Sequence, residues 1–300
     1  MNGPWAHRVL VDEPGNVDLH ALEWTPDDAR AELPDVLLVH GLASNAQLWT
    51  GLARLLAQAG HRVIAVDLRG HGLSAKVDDD YTHETIVNDL VAVIDALAMD
   101  RPIGFGQSWG GNLVLELAAR HPKLVSGIVC IDGGQIELAS VFDDLDAMKR
   151  VLRPPPLAGM ALADIERNMR SRMLDWPEEG IRGQLANFAR RPDGTIMPHL
   201  SLSRHLLILD SLWAHHPSEQ YATIEVPVLM LPVEGGPSAG VDVKQVAITL
   251  AEARLPRSRT QWFAGSHDIH AEDPAGVAGV FAQAIADDFF GAATQNGPVS

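Results

Sequence analysis

The chain has 300 residues, 46% of them hydrophobic and 21% charged, the proportions of a folded globular protein rather than a disordered one. Acidic residues outnumber basic ones, 39 to 23, for a formal net charge of −16. A chain this acidic repels phosphate backbones and anionic bilayers, which argues against nucleic acid or a membrane surface as partner. Its single cysteine, Cys130, can form neither an internal disulfide nor a thiolate-based zinc site.

The length suits two domains, or one large α/β domain carrying an insertion. No basic segment leads into an apolar one at the start, and no run approaches 18 uncharged apolar residues, so a soluble, cytoplasmic protein is expected. In chain order, the near-period-two pattern of Val17–Trp24 predicts an early antiparallel pair over about 7–24. Asp35–His40 is a continuous apolar run of the kind buried on both faces of a parallel sheet. Leu48, Leu52, Leu55, Leu56 and Ala59 form a helical stripe stopped by Gly60. There follow a strand at Arg62–Val66, a helix at Glu84–Met99, a strand at Ile103–Gln107, a helix at Trp109–Arg120 and a strand at Leu124–Ile131. Such alternation predicts a mostly parallel central sheet with helices on both faces.

From about Gly134 to Thr223 the alternation stops. That segment reads as helical, broken at Pro154-Pro155-Pro156, Trp176-Pro177 and Pro192-Asp193-Gly194. It is expected to be a helical cap, residues 135–222, inserted into a core of 1–134 and 223–300 and lying over the sheet's C-terminal edge, where ligands of open α/β sheets bind. The alternation resumes with a strand at Val226–Val233, a helix at 242–254, a strand at Arg259–Phe263 and a helix at Pro274–Phe290.

The motif richest in chemistry is Gly106-Gln107-Ser108-Trp109-Gly110. It follows a predicted strand and opens a predicted helix, the context in which Gly-x-Ser-x-Gly forms a sharp turn that exposes a serine hydroxyl at a helix N-terminus. With Val39-His40-Gly41-Leu42, Asp67-Leu68-Arg69-Gly70-His71-Gly72-Leu73-Ser74 and Gly265-Ser266-His267 in the same order, the chain resembles the α/β-hydrolase superfamily over nearly its whole length. It is close to the capped esterase and haloalkane-dehalogenase-like branch. The resemblance implies an α/β-hydrolase fold and a nucleophile at Ser108. Haloalkane dehalogenases and epoxide hydrolases carry aspartate there, so the serine points to acyl-enzyme chemistry.

The resemblance also implies a base at His267, in the loop after the last strand, with His270 as the rival. It implies oxyanion donors at the amides of Leu42 and Trp109. Trp49 and Trp109 are expected on the pocket wall, and His40 and His71 as supports of their glycine turns. The acid departs from the family pattern: Gly236 stands where Gly-Glu-x-Asp would place an aspartate. Asp132, at the end of the strand after the elbow helix, is the first choice, Glu234 the second, and Asp242 a third candidate. His215-His216 and His267-x-x-His270 lack carboxylates or cysteines at ligand spacing, so no metal is expected, and no cofactor. Arginines 167, 170, 172, 190 and 191 of the cap read as a solvated face.

The function expected is a serine hydrolase that cleaves a small to medium apolar carboxylic ester or lactone. The same residues would also suit carbon–carbon bond hydrolysis, thioester hydrolysis or cofactor-free peroxidation. A non-catalytic ligand receptor on the same fold is the alternative outside enzymes.

Overall fold

The computed structural model describes residues 4–11, 16–26, 33–78, 80–234 and 241–291, without the side chains of 241 and 242. An antiparallel pair, β1 (Trp5–Val11) and β2 (Val17–Trp24), opens the chain. Then come β3 (Val36–Val39), α1 (Thr50–Ala59), β4 (Val63–Val66), α2 (His83–Ala96), β5 (Ile103–Gln107), α3 (Trp109–Arg120) and β6 (Gly127–Ile131). Gly60 ends α1 with φ of 110° and donates to the carbonyls of Ala57 and Leu56, a left-handed cap that glycine adopts without a Cβ penalty.

The inserted segment carries α4 (Leu145–Val151), α5 (Leu162–Arg172), α6 (Glu178–Leu185), β7 (Phe188–Arg190), β8 (Ile196–Pro198), α7 (Leu202–Ala214) and α8 (Pro217–Gln220). The core resumes with β9 (Val228–Leu231), β10 (Val233–Glu234), α9 (Val241–Arg254), β11 (Ser258–Thr260), β12 (Phe263–Ala264), α10 (Ile269–Glu272) and α11 (Pro274–Ala286).

Eight strands form the main sheet in the order β1-β2-β4-β3-β5-β6-β9-β11. β2 is antiparallel to both β1 and β4, and the remaining pairs are parallel. Successive residues of the central strands feed opposite faces. Leu37, Val39, Ile64 and Val66 join the core packed on α2 and α3; Val36, Leu38, Val63 and Ala65 join the core packed on α1 and α11. Each fully buried Val or Leu contributes about 1.5–3 kcal/mol. Cys130 is among the buried residues of β6, and desolvation pushes its thiol up to about 12.

Two expectations need correcting. The inserted segment is not wholly helical: β7 and β8 form an antiparallel ribbon turned at Pro192-Asp193-Gly194. Asp193 Oδ1 accepts from the Thr195 amide at 2.9 Å, and Gly194 takes φ of 82°. Strands of three residues are too short for alternation to register. The strands expected at Val226–Val233 and Arg259–Phe263 each break in two. Pro232 has no amide to donate, so β10 and β12 leave the main sheet and pair with each other, while the Pro232 carbonyl accepts from Phe263 at 2.9 Å. That shift carries the chain into the loop of His267. Among the described residues no helix is long and apolar enough to cross a membrane.

Candidate active site

Ser108 lies between β5 and α3 with φ of 53° and ψ of −122°. This region is costly for a residue with a side chain and persists only where the surroundings enforce it. Here the Ser108 amide donates to the Ile131 carbonyl, and its carbonyl accepts from Gly111, both at 2.9 Å. The flanking glycines make the turn possible. A Cβ on Gly106 would fall 2.1 Å from the Gly110 carbonyl oxygen, and one on Gly110 would fall 2.2 Å from that of Val39. Three backbone segments meet at this turn, since a Cβ on Gly41 would approach Ser108 Cβ at 3.0 Å and one on Gly133 its carbonyl at 2.2 Å.

β5 and β6 run parallel with Gln107 opposite Ile131. Ser108 and Asp132 therefore leave neighbouring strands at the same edge. Asp132 is buried, also with positive φ, 43°. His267 Nδ1 donates to Asp132 Oδ2 at 2.6 Å. Asp132 Oδ1 accepts from Lys244 Nζ at 2.7 Å and from the Val233 amide at 3.2 Å. Burial alone would raise this carboxyl, but His267 and Lys244 outweigh it and hold the pKa below the usual carboxylate value. For His267, burial works against the imidazolium, yet the Asp132 hydrogen bond and charge lift its pKa above the ordinary histidine value. The Gln107 side chain donates to the His267 carbonyl at 3.0 Å, tying the histidine loop to the residue before Ser108.

The other candidates fall elsewhere. His270 is wholly buried in α10, its ring centroid 4.1 Å from that of Trp49, and burial drives its pKa to about 3. Trp49 is not on an accessible pocket wall: it is fully buried in the α1-side core, at the turn that leads into α1. Glu234 is exposed on β10. The side chain of Asp242, and Gly235 and Gly236, lie outside the described residues.

Leu42 follows β3 in a loop half-buried beside the elbow, and Trp109 is the first residue of α3. The loop of Leu42 is set by two buried histidines. His40 Nε2 accepts from the Leu68 amide at 3.0 Å and His71 Nε2 from Ala43 at 3.2 Å. Asp67 accepts from Ala46, Leu73 and His20. Burial opposes its charge, but these donors and His40 bring its pKa to about 2. The glycine loop of Asp67 to Ser74 is thus scaffolding, as its sequence suggested. Lys244, delivered by α9, was missed; no local motif marks it, because its partner is 112 positions away.

The inserted segment reaches this edge through α6. Asn45 Nδ2 donates to the Gly183 carbonyl at 2.9 Å, and Gln184 Nε2 to Asp268 Oδ2 at 2.8 Å. A cavity of about 340 Å³ lies between α6, the β7 ribbon and the core loops. Its lining includes Asn45, Asp67, Arg182, Arg190 and His199, and Ser108 is not part of it. Arg167 and Arg170 pair with Asp164, Glu166 and Glu178 on the exposed face, as the sequence suggested.

A family model described as the alpha/beta hydrolase fold matches residues 34–199, more than half the chain. The chain belongs to the α/β-hydrolase family. It is 35% identical over 144 residues to a haloalkane dehalogenase of Psychrobacter cryohalolentis, covering 45% of this chain and 46% of that protein. It is 34% identical over 127 residues to epoxide hydrolase B of Mycobacterium tuberculosis, covering 42% and 35%. These matches span less than half the length of either relative. Among solved structures, an E-2-(acetamidomethylene)succinate hydrolase superposes with a TM-score of 0.76 at 23% identity, over 94% of this chain and 99% of that one. A thioesterase domain from the curacin biosynthetic pathway gives 0.72 at 18%, over 94% and 100%. At these identities the likeness is one of α/β-hydrolase fold.

Proposed function

We propose that the protein is a serine hydrolase that cleaves a carboxylic ester or lactone through an acyl-enzyme. The observation that carries the reading is the hydrogen bond between His267 and the buried Asp132 at the strand edge where the elbow holds Ser108. In this mechanism Ser108 Oγ attacks the acyl carbon as His267 Nε2 takes its proton. Asp132 fixes the tautomer that leaves Nε2 free and stabilises the imidazolium that forms. The amides of Leu42 and Trp109 receive the oxyanion. His267 then protonates the leaving alcohol and activates the water that frees the acid. The serine at the elbow supports acyl transfer over the aspartyl-ester chemistry expected of dehalogenases and epoxide hydrolases.

In this reading residues 135–222 act as a lid, and the substrate is a small molecule. The test is a fluorophosphonate probe followed by a panel of p-nitrophenyl esters and lactones, with both apolar and carboxylate-bearing acyl groups. Labelling should map to Ser108, and folded Ser108→Ala should lose both labelling and at least ~10³ of turnover. A folded protein that binds ligands but neither labels nor turns over would instead be a receptor.

A further inference from the structure

Away from the Ser108 edge, three buried side chains from separate helices converge. His83 opens α2, Glu116 lies in the last turns of α3, and His215 caps the C-terminus of α7. All are at most 6% exposed. Each offers a ligand atom, and the three atoms lie within 4.8 Å of one another. The imidazoles stack, with centroids 4.0 Å apart and planes within 8° of parallel.

The hydrogen bonding of the cluster is lopsided. His83 Nδ1 contacts Ser211 Oγ at 2.7 Å, and His215 Nδ1 contacts Glu116 Oε2 at 3.1 Å. The Nε2 of each ring is buried without a partner. Two orphaned nitrogens in one place carry a desolvation cost that native interiors rarely leave uncompensated. His83, with its Nδ1 engaged by a hydroxyl while its Nε2 stays open, shows the pattern of a histidine oriented for a metal, whereas the Nδ1 of His215 faces Glu116 itself. The other oxygen of Glu116 is held by Arg120 Nε at 2.6 Å.

We propose that His83, His215 and Glu116 bind a zinc-class divalent cation that joins the inserted segment to the core. Two imidazoles and a carboxylate are a borderline donor set that suits zinc, with a fourth position left for water. Ligands on a tetrahedral zinc, bonded at about 2.0–2.1 Å, lie about 3.4 Å apart; because an ion lies in the plane of each imidazole that binds it, one of the two rings must turn out of the stack to share it. A cavity of about 320 Å³ beside the three residues, bordered by Thr82, Glu84, Ser211 and Glu219, supplies a path for the ion and room for the water. The expectation of no metal weighed only histidines close in sequence, whereas these ligands come together through helix packing.

The experiment uses the full chain freed of any histidine tag and stripped with a chelator. Zinc chloride is titrated by calorimetry, and cobalt(II) is added in parallel for its visible absorption. One equivalent should bind, with a tetrahedral cobalt spectrum and a raised unfolding temperature at saturating zinc. His83→Gln and His215→Gln should each weaken binding at least about tenfold. His267→Gln should leave it unchanged, which separates this cluster from the Ser108 edge. Glu116→Gln, closest in shape, serves if a histidine variant does not fold. Absence of stoichiometric binding by the unaltered chain overturns the proposal, as does undiminished binding by the folded His83 or His215 variants.

Discussion

At the scale of single residues, the pairing of Asp132 with His267 has kinetic consequences. Asp132→Asn keeps the shape but offers the histidine the wrong tautomer, and turnover should fall on the order of 10⁴-fold. Exposed Glu234→Gln should stay within a few-fold of the parent; the reverse pattern in esterase assays would transfer the acid's role to Glu234. Because His267 must be neutral to accept a proton and its pKa is raised, kcat/KM should increase with pH through a midpoint above the ordinary histidine value. The Lys244 charge opposes the imidazolium, so Lys244→Met should move that acid limb to still higher pH. An unchanged or lowered midpoint in the pH profile would contradict the assignment.

Much of this site was legible in the chain. The Gly-x-Ser-x-Gly turn identifies itself because only glycine fits where backbones approach within van der Waals contact. Asp132 was readable because a helix out and a strand back must return it to the edge reached by Ser108. Lys244 and the His83 cluster were not, since each exists only through packing between distant elements. Trp49 was misread because residue type alone does not distinguish a core indole from one facing a pocket.

Among elements, the contact between α6 and the segment after β3 decides how the inserted segment sits. A Cβ on Gly183 would fall 2.5 Å from Leu48 Cα, a backbone atom that cannot yield like a flexible side chain. Gly183→Ala should therefore push α6 outward at a cost of about 1–3 kcal/mol. Its signature should be faster proteolysis within 135–222 and a raised KM, while the sheet's exchange protection is kept; a variant with parental KM and cleavage rate would show that this contact does not govern how the inserted segment sits. The helices of the sheet's two faces could be read from periodicity, since each buries a stripe on a flat apolar surface. The β7–β8 ribbon could not, because its six residues carry no period and its position depends on the turn at Gly194.

For the whole molecule, stability leans on an ion pair enclosed between the loop after β4 and α2. Arg69 and Asp89 are each 1% exposed and joined by two hydrogen bonds of 2.6 and 2.7 Å. Removing one partner strands a charge in the interior, so Arg69→Met should lower unfolding free energy by about 3–5 kcal/mol in urea titrations. A loss under 1 kcal/mol would mean that water reaches Asp89 in the variant.

Cys130 has a different kind of consequence. The chain's one thiol lies on β6 two residues before Asp132, with its sulfur against the Gly111 carbonyl and the backbone of Gly134. An alkylating reagent can reach it only when the packing of α3 and the Gly134 turn around β6 opens. The rate of its modification is therefore a clock for the opening of the Ser108 edge itself, carried by the natural chain without any added label.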